Sequence, residues 1–287
     1  MSKIGIVILN YNDYKTTIKY IEEIKNYKVL DKIVVVDNNS SDGSYDKLRK
    51  YNEGKITVVK TEENRGYSYG NNIGIKELNN DIDYVLISNP DITVSESTIK
   101  RLKNDLDNNP DISVISPVIN QLGEKIRGWR LSSFKEEVLL NINSYHKKVE
   151  QKLKYDDSKY KGNLTKVDVV SGCFFMIRKE IFDAVGNFDE GVFLYYEENI
   201  LGKKLNTIEK KTFIDNEVEV THNLSVSVDK SFNSIKKYKM LKDSQKYYAK
   251  YYLKINFIQM FLLRFVYRVS LCVSYIICFF KNLRRKK

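Results

Sequence analysis

Two stretches of this 287-residue chain put polar chemistry where a strand gives way to a helix. In Val34-Val35-Val36-Asp37-Asn38-Asn39-Ser40-Ser41-Asp42-Gly43-Ser44 a carboxylate stands at a strand end, ahead of small polar residues. A carboxylate so placed can accept a hydrogen bond from a ring imide N–H, a contact that discriminates among nucleobases. The same run also makes an Asx turn and a helix cap at Ser41 or Asp42 with no ligand at all. In Asn64-Arg65-Gly66-Tyr67-Ser68-Tyr69-Gly70-Asn71-Asn72-Ile73-Gly74, glycines permit close backbone approach and a helix N-terminus can face an anion. That run fits neither the GxxxxGK[ST] nor the GxGxxG spacing. Taken alone, it reads as a helix whose small residues pack on a sheet. Asn89-Pro90-Asp91 is a turn with a carboxylate, Glu197-Glu198 an acidic pair that suits a helix N-terminus, and His222 one of two histidines.

The elements that must position these residues alternate between β-rich and helical patterns: Ile4–Leu9 then Tyr14–Tyr27, Ile33–Asp37 then Ser44–Tyr51, Ile56–Lys60 then Ser68–Leu78, Tyr84–Ser88 then Ser95–Asn108. Such alternation predicts an α/β fold with a mostly parallel sheet, whose ligands gather beyond the carboxyl ends of the strands. Asn10-Tyr11-Asn12, Asp37 to Gly43, Asn64 to Gly66 and Asn89 to Asp91 all come directly after strands, so one crevice can collect them. Residues 120–166 lose the pattern and read as acceptor-side loops and helices around Trp129 and His146. Val167–Ile177 is predicted as one strand, with helices over Arg178–Val185, Tyr196–Leu205 and 234–252.

Together with Val7-Ile8-Leu9-Asn10-Tyr11-Asn12, these runs resemble glycosyltransferase family 2, with its GT-A fold. The resemblance extends over about residues 4–225. Ser171-Gly172-Cys173-Phe174-Phe175-Met176-Ile177-Arg178, Val185-Gly186-Asn187-Phe188-Asp189-Glu190 and Phe193-Leu194-Tyr195-Tyr196-Glu197-Glu198 look like acceptor-site and catalytic-base blocks of its bacterial rhamnosyltransferase-like branch. The resemblance implies inverting transfer of a sugar from a nucleotide-diphosphate donor to an acceptor hydroxyl. It implies a nucleotide site of Asn10, Asn12, Asp37, Asn39, Asn64, Arg65, Gly66, Asn71 and Asn89, and donor-sugar or acceptor contacts at Gly172, Cys173 and Tyr196, with Trp129 beside them. Asn89 falls where the family carries the first acid of an Asp-x-Asp motif, leaving Asp91, with His222, to hold a divalent cation, Mg²⁺ or Mn²⁺. One or two protein ligands suffice when diphosphate and water complete the shell. Glu198 takes the place of the family's aspartate base. Successive helix residues diverge by about 100°, so only one of Glu197 and Glu198 is expected to face the cleft.

Charge is segregated. Residues 230–287 carry +14 and the rest −3, and 20 of the 26 residues from Ile255 to Phe280 are apolar. Basic residues beside an apolar helix favour a membrane surface over nucleic acid. The arginine-free stretch Val269–Phe280 spans about 18 Å of helix against the roughly 30 Å of a bilayer core, which favours a helix lying in the interface. A tilted span, or a core or homo-oligomer helix, are the other uses. The chain divides into a catalytic domain, 1–229, with a nucleotide half (1–118) and an acceptor half (119–229), and a helical extension, 230–287. A membrane-associated enzyme suggests a lipid-linked glycan acceptor at the inner, cytoplasmic face. Three scattered cysteines suit a reducing compartment and no disulfide framework, and the short apolar run after Met1 does not read as a signal peptide. A nucleotidyltransferase would need a basic Gly-rich N-terminal loop, which is absent here. The acid often found two positions after the family's base is Ile200, which together with Asn89 motivates the rival reading of an inactive nucleotide-sugar-binding scaffold.

Overall fold

Strand β2 (Lys32–Asp37) reads KIVVVD and buries every residue after the first, as expected of a parallel strand covered on both faces. In the computed structural model, which describes residues 2–223 and 234–285, it lies between β1 (Ile4–Asn10) and β3 (Ile56–Lys60), and β1 continues to β4 (Tyr84–Ser88), all parallel. Helices α1 (Tyr14–Ile24), α2 (Ser44–Leu48) and α3 (Tyr67–Lys76) connect them, and α4 (Glu96–Asn108) comes after β4, within a few residues of the predicted ranges. The period-two alternation of strand side chains builds two cores. Ile4, Ile6, Ile8, Ile33 and Val35 pack on the α1 and α4 side, and Val7, Val34 and Val36 on the α3 side. Gly70 and Gly74 are what bring α3 so close. A Cβ at either would stand 2.4 Å from Leu9 or Val7. The packing reading of that helix is therefore correct for its interior.

The sheet is mixed rather than all parallel. Its order is β3-β2-β1-β4-β9-β6-β10-β5, with β5 (Ile92–Thr93), β6 (Ile112–Gln121), β9 (Phe174–Arg178) and β10 (Lys211–His222); β7 (Glu124–Ile126) pairs β6, and β8 (Leu164–Val167) pairs β10. The strand predicted over Val167–Ile177 is two: β8 on β10, and β9 inserted antiparallel between β4 and β6. Residues 168–173 cross between them. Apolar periodicity continues through the crossing, so a one-dimensional pattern could not separate the two.

Residues 120–166, read as acceptor-side loops and helices, hold β7, α5 (Phe134–Leu139, started by a Ser133/Glu136 capping box), α6 (Asn143–Leu153) and β8. Helices α7 (Lys179–Ala184) and α8 (Glu197–Thr207) precede β10. The 229/230 boundary, Leu224, Ser225, Lys286 and Lys287 lie outside the described residues. Helix α9 (Ser234–Tyr251) packs its buried Tyr248 with Val192 and Ile200, so it shares a core with the segment that leads into α8. Helix α10 (Phe257–Arg285) lies against α9 and α5, burying Leu263 and Ser270. No helix among the described residues is long and apolar enough to cross a membrane.

Candidate active site

Residues 131 positions apart meet because of the shortest strand. After Asn89-Pro90-Asp91 the chain enters β5, which pairs antiparallel with the end of β10 and sets Ile92 opposite His222. His222 Nε2 then lies 3.2 Å from Asp91 Oδ1, and Nδ1 lies 2.9 Å from Gln121 Oε1 on β6. Asn223 donates its backbone and side-chain N–H groups to the Asp91 carbonyl. Burial opposes a charged imidazole here, but hydrogen bonds and charge from Asp91 and Cys173 outweigh it and push His222 up to about 10. Among the described residues no three His, Cys, Asp or Glu side chains converge into a metal cage. One carboxylate and one imidazole facing an open cleft is nonetheless a donor set that fits a hard divalent cation sharing its shell with a diphosphate.

The acidic pair opens α8 after an unusual approach. Tyr195 and Tyr196 both hold left-handed backbone, φ 73° and 72°, a conformation that costs non-glycine residues energy and concentrates at functional sites. Glu197 and Glu198 both line the cleft, where only one was expected to face it, and the two left-handed residues lead directly into the first turn of α8. Glu198 Oε1 accepts the Gly172 N–H at 3.2 Å, while Tyr67 donates its hydroxyl to the Gly172 carbonyl at 2.8 Å. Burial raises Glu198 above the ordinary carboxylate range, and burial plus the neighbouring Glu198 charge raises Glu197 further. Glu197 is 5% exposed and its Oε1 has no hydrogen-bond partner. Ile200 belongs to the α9 core, so an acid there would be buried among Val192 and Tyr248.

A 410 Å³ cleft brings together Asn64, Gly66, Asn89, Asp91, Gly172, Cys173, Glu197, Glu198 and His222. Asn38, which is not among the expected nucleotide contacts, organises one wall by donating to Asn64 Oδ1 (3.0 Å) and the Gly66 carbonyl (3.1 Å). Gly66 has φ +103°, and a Cβ there would lie 2.0 Å from the Phe193 carbonyl oxygen, so this seam admits only glycine. Other expected nucleotide contacts lie behind the wall. Asp37 is fully buried, accepting Asn10 Nδ2 at 2.8 Å and the Ser40 N–H at 3.1 Å. Asn39 (φ 55°) turns back on the Asp37 carbonyl, and Asn12 Oδ1 takes the Ser41 N–H. Asn71 bonds inside α3 to the Tyr67 carbonyl, and Arg65 sits outside over the Tyr69 ring, 4.7 Å from its centroid.

Trp129 and Tyr196 do not line that cleft. They line a second cavity of 580 Å³ between α6, α8 and α9, and Tyr195 and Glu198 border both spaces. Trp129 Nε1 donates to Asn199 Oδ1 (2.8 Å), and the Tyr196 hydroxyl to the buried Glu137 (2.6 Å). Nothing in the sequence marked Glu137, Lys242 or Gln245 for this site.

This curled, mixed sheet, with its cleft at the strand ends, is the GT-A fold of glycosyltransferases. Solved structures that share it include GalNAc-T7 with UDP, GalNAc and Mn²⁺ (17% identity, TM-score 0.61, 78% of this chain and 44% of that one). Mannosyltransferase PcManGT from Pyrobaculum calidifontis, in complex with GDP-Man and Mn²⁺, shares it also (13% identity, TM-score 0.60, 93% and 72%). Residues 5–186 match the family model of glycosyl transferase family 2, and the chain belongs to that family. The low-salt glycan biosynthesis hexosyltransferase Agl10 of Haloferax volcanii is 31% identical over 208 residues, 69% of this chain. The chain spans 60% of that relative's length.

Proposed function

We propose that this protein is an inverting hexosyltransferase that moves a sugar from a nucleotide-diphosphate donor to a hydroxyl of a glycan, lipid-linked and at a membrane surface. The observation that carries this reading is the place of Glu198, on the border between a cleft ending in Asp91 and His222 and a second cavity walled by Trp129 and Tyr196. A base belongs between donor and acceptor. Glu198, held by the Gly172 N–H and raised by burial towards working pH, takes the proton of the acceptor hydroxyl as its oxygen attacks the anomeric carbon. Attack opposite the leaving nucleotide inverts that carbon. Asn64, Gly66 and Asn89 hold the donor, with Asn10, Asp37 and Asn12 bracing the loop beneath. Asp91 and His222 would hold the divalent cation, which supplies neutralisation of charge on the departing diphosphate. The hexosyltransferase name of the Haloferax volcanii relative and the nucleotide-sugar and Mn²⁺ complexes of the structural neighbours support the class.

The membrane part rests on α10. Phe257, Ile258, Phe261, Leu262, Phe265 and Val269 are exposed, Phe257 by 85%. At about 100° per residue they share an arc of roughly 140°, opposite the buried Leu263 and Ser270. Arg264 stands at the edge of that arc and Arg268 just inside the same edge, and the sequence continues into Lys281, Arg284, Arg285, Lys286 and Lys287, the pairing of signals that anchors to anionic lipid.

Calorimetry with UDP-, GDP- and dTDP-sugars, dTDP-rhamnose among them, with and without Mn²⁺, tests the donor site. Asp37→Ala should weaken every donor through loss of the loop's support, and Asp91→Ala should mainly abolish the dependence on metal. Unchanged affinity in both variants would sink the assignment, and donor binding without transfer to any glycan would favour an inactive scaffold.

A further inference from the structure

Resting on the assignment of the second cavity to the acceptor, we propose that the acceptor carries an anionic group, a phosphate or a carboxylate, received there by the ammonium of Lys242. Lys242 lies on α9, lines the cavity and is only 3% exposed. An ammonium has three N–H donors, and the structure uses one. Lys242 Nζ donates to Gln245 Oε1 at 3.3 Å, an oxygen already shared with Asn141 Nδ2, and otherwise sits 5.3 Å from the centre of the Tyr238 ring. Among the described residues no carboxylate lies within ion-pair distance of it.

The buried Glu137 is not that partner. Its carboxylate is taken by the hydroxyls of Ser132 and Tyr196 and by Gln245 Nε2 at 2.7 Å, so Gln245 stands between the two charges. Burial loosens the hold of Lys242 on its proton, to about 8, with only the more distant Glu137 working against it. Buried charges are kept where something pairs with them, and here the protein leaves the place open on the cavity side. The other walls agree in sign. Lys147 and Lys154 line the same space; its acids are Glu150, 3.2 Å from His146 Nε2, and Glu198 at the border with the donor cleft. An acceptor that offers a hydroxyl to Glu198 and a negative group to Lys242 matches both ends.

The test uses the full chain, saturated with UDP and Mn²⁺ to occupy the donor cleft, and measures binding of paired probes by calorimetry. Glucuronate and glucose 6-phosphate are compared with glucose, and octyl phosphate with octanol. The charged member of at least one set should bind about tenfold or more tightly, as one charged hydrogen-bonded contact provides. A preference within the sugar set places the charge on the glycan, and one within the octyl set places it on the lipid. Lys242→Met should abolish the preference, Lys154→Gln should reduce it, and both should keep UDP affinity. Lys242→Gln replaces Lys242→Met if the latter loses its fold. No preference in the wild type, or one that survives loss of the Lys242 charge, overturns the proposal. Failure of UDP to bind would instead sink the donor-site reading, and the probe comparison without UDP still decides this one.

Discussion

The two spaces that meet at Glu198 are built in different ways. The cleft proposed for the donor is walled by turns at the ends of strands: Asn38 after β2, Gly66 before α3, Asn89 and Asp91 after β4, each a few residues from an element with strong periodicity. The second cavity is walled mainly by side chains from α6, α8 and α9, and behind it α9 is tied to the region of α5 by hydrogen bonds such as Asn141 to Gln245 and Gln245 to Glu137, more than 100 residues apart. A sheet delivers its strand ends to one edge whatever the side chains are, so a motif there announces a site. A cavity between helices exists only once the helices have packed.

That contrast can be broken or sharpened by substitution. The largest effect is expected where the spaces join. Glu198→Gln should lower kcat by about 10²–10⁴ with donor affinity unchanged, since only general-base help is lost. Glu197→Gln should cost less; the reverse order would move the base one residue upstream, and full activity in both would call for another mechanism. Because the base must be charged and burial raises Glu198 above 4.5, kcat/KM should climb with pH through a value higher than that of an ordinary glutamate. Loss of this limb in Glu198→Gln checks the assignment.

Gly66→Ala strikes first at the cleft proposed for the donor. It places a Cβ against the Phe193 carbonyl at φ +103°, so it should cost about 1–3 kcal/mol in urea denaturation and weaken UDP binding, while Trp129 and the second cavity keep their ligands. Wild-type stability would show that the 193–196 segment can retreat.

A smaller effect concerns the cost of the acidic pair. The folded-state pKa of Glu197 is raised, so the stability it contributes is present below about 4.5 and is lost as pH rises through the folded value. Glu197→Gln should therefore raise Tm, by about 2–4 °C for each kcal/mol regained, and by more at pH 8 than at pH 5. An equal gain at both pH values would mean that the carboxylate is not strained by burial.

The smallest effect on the cavities should come from ending the chain after Tyr252, which keeps α9 with Lys242 and Gln245. The shortened protein should bind UDP as before but no longer sediment with anionic liposomes, whereas high salt should only weaken the full chain's attachment. Unfolding on truncation, or no liposome binding by the full chain, would make α10 a core or homo-oligomer helix.

By itself the sequence determined the β1 to β4 half, because runs such as Ile33–Asp37 and Tyr84–Ser88 can be satisfied only as buried strands, and it located the turns that carry Asn64, Asn89 and Asp91. It did not determine which polar residues of those turns open to the cleft. Asp37 and Asn10 face each other in register across β1 and β2, and their mutual hydrogen bond closes them off. The meeting of Asp91 with His222 waited on two residues of β5 finding β10, a pairing too short to leave a periodic signal. The split of Val167–Ile177, the approach of both Glu197 and Glu198 to the cleft, and the burial of Lys242 were likewise decided by tertiary structure. Periodicity reports which face of an element is apolar; the partner of that face, and the backbone turn that aims a side chain, are set by contacts distant in the chain.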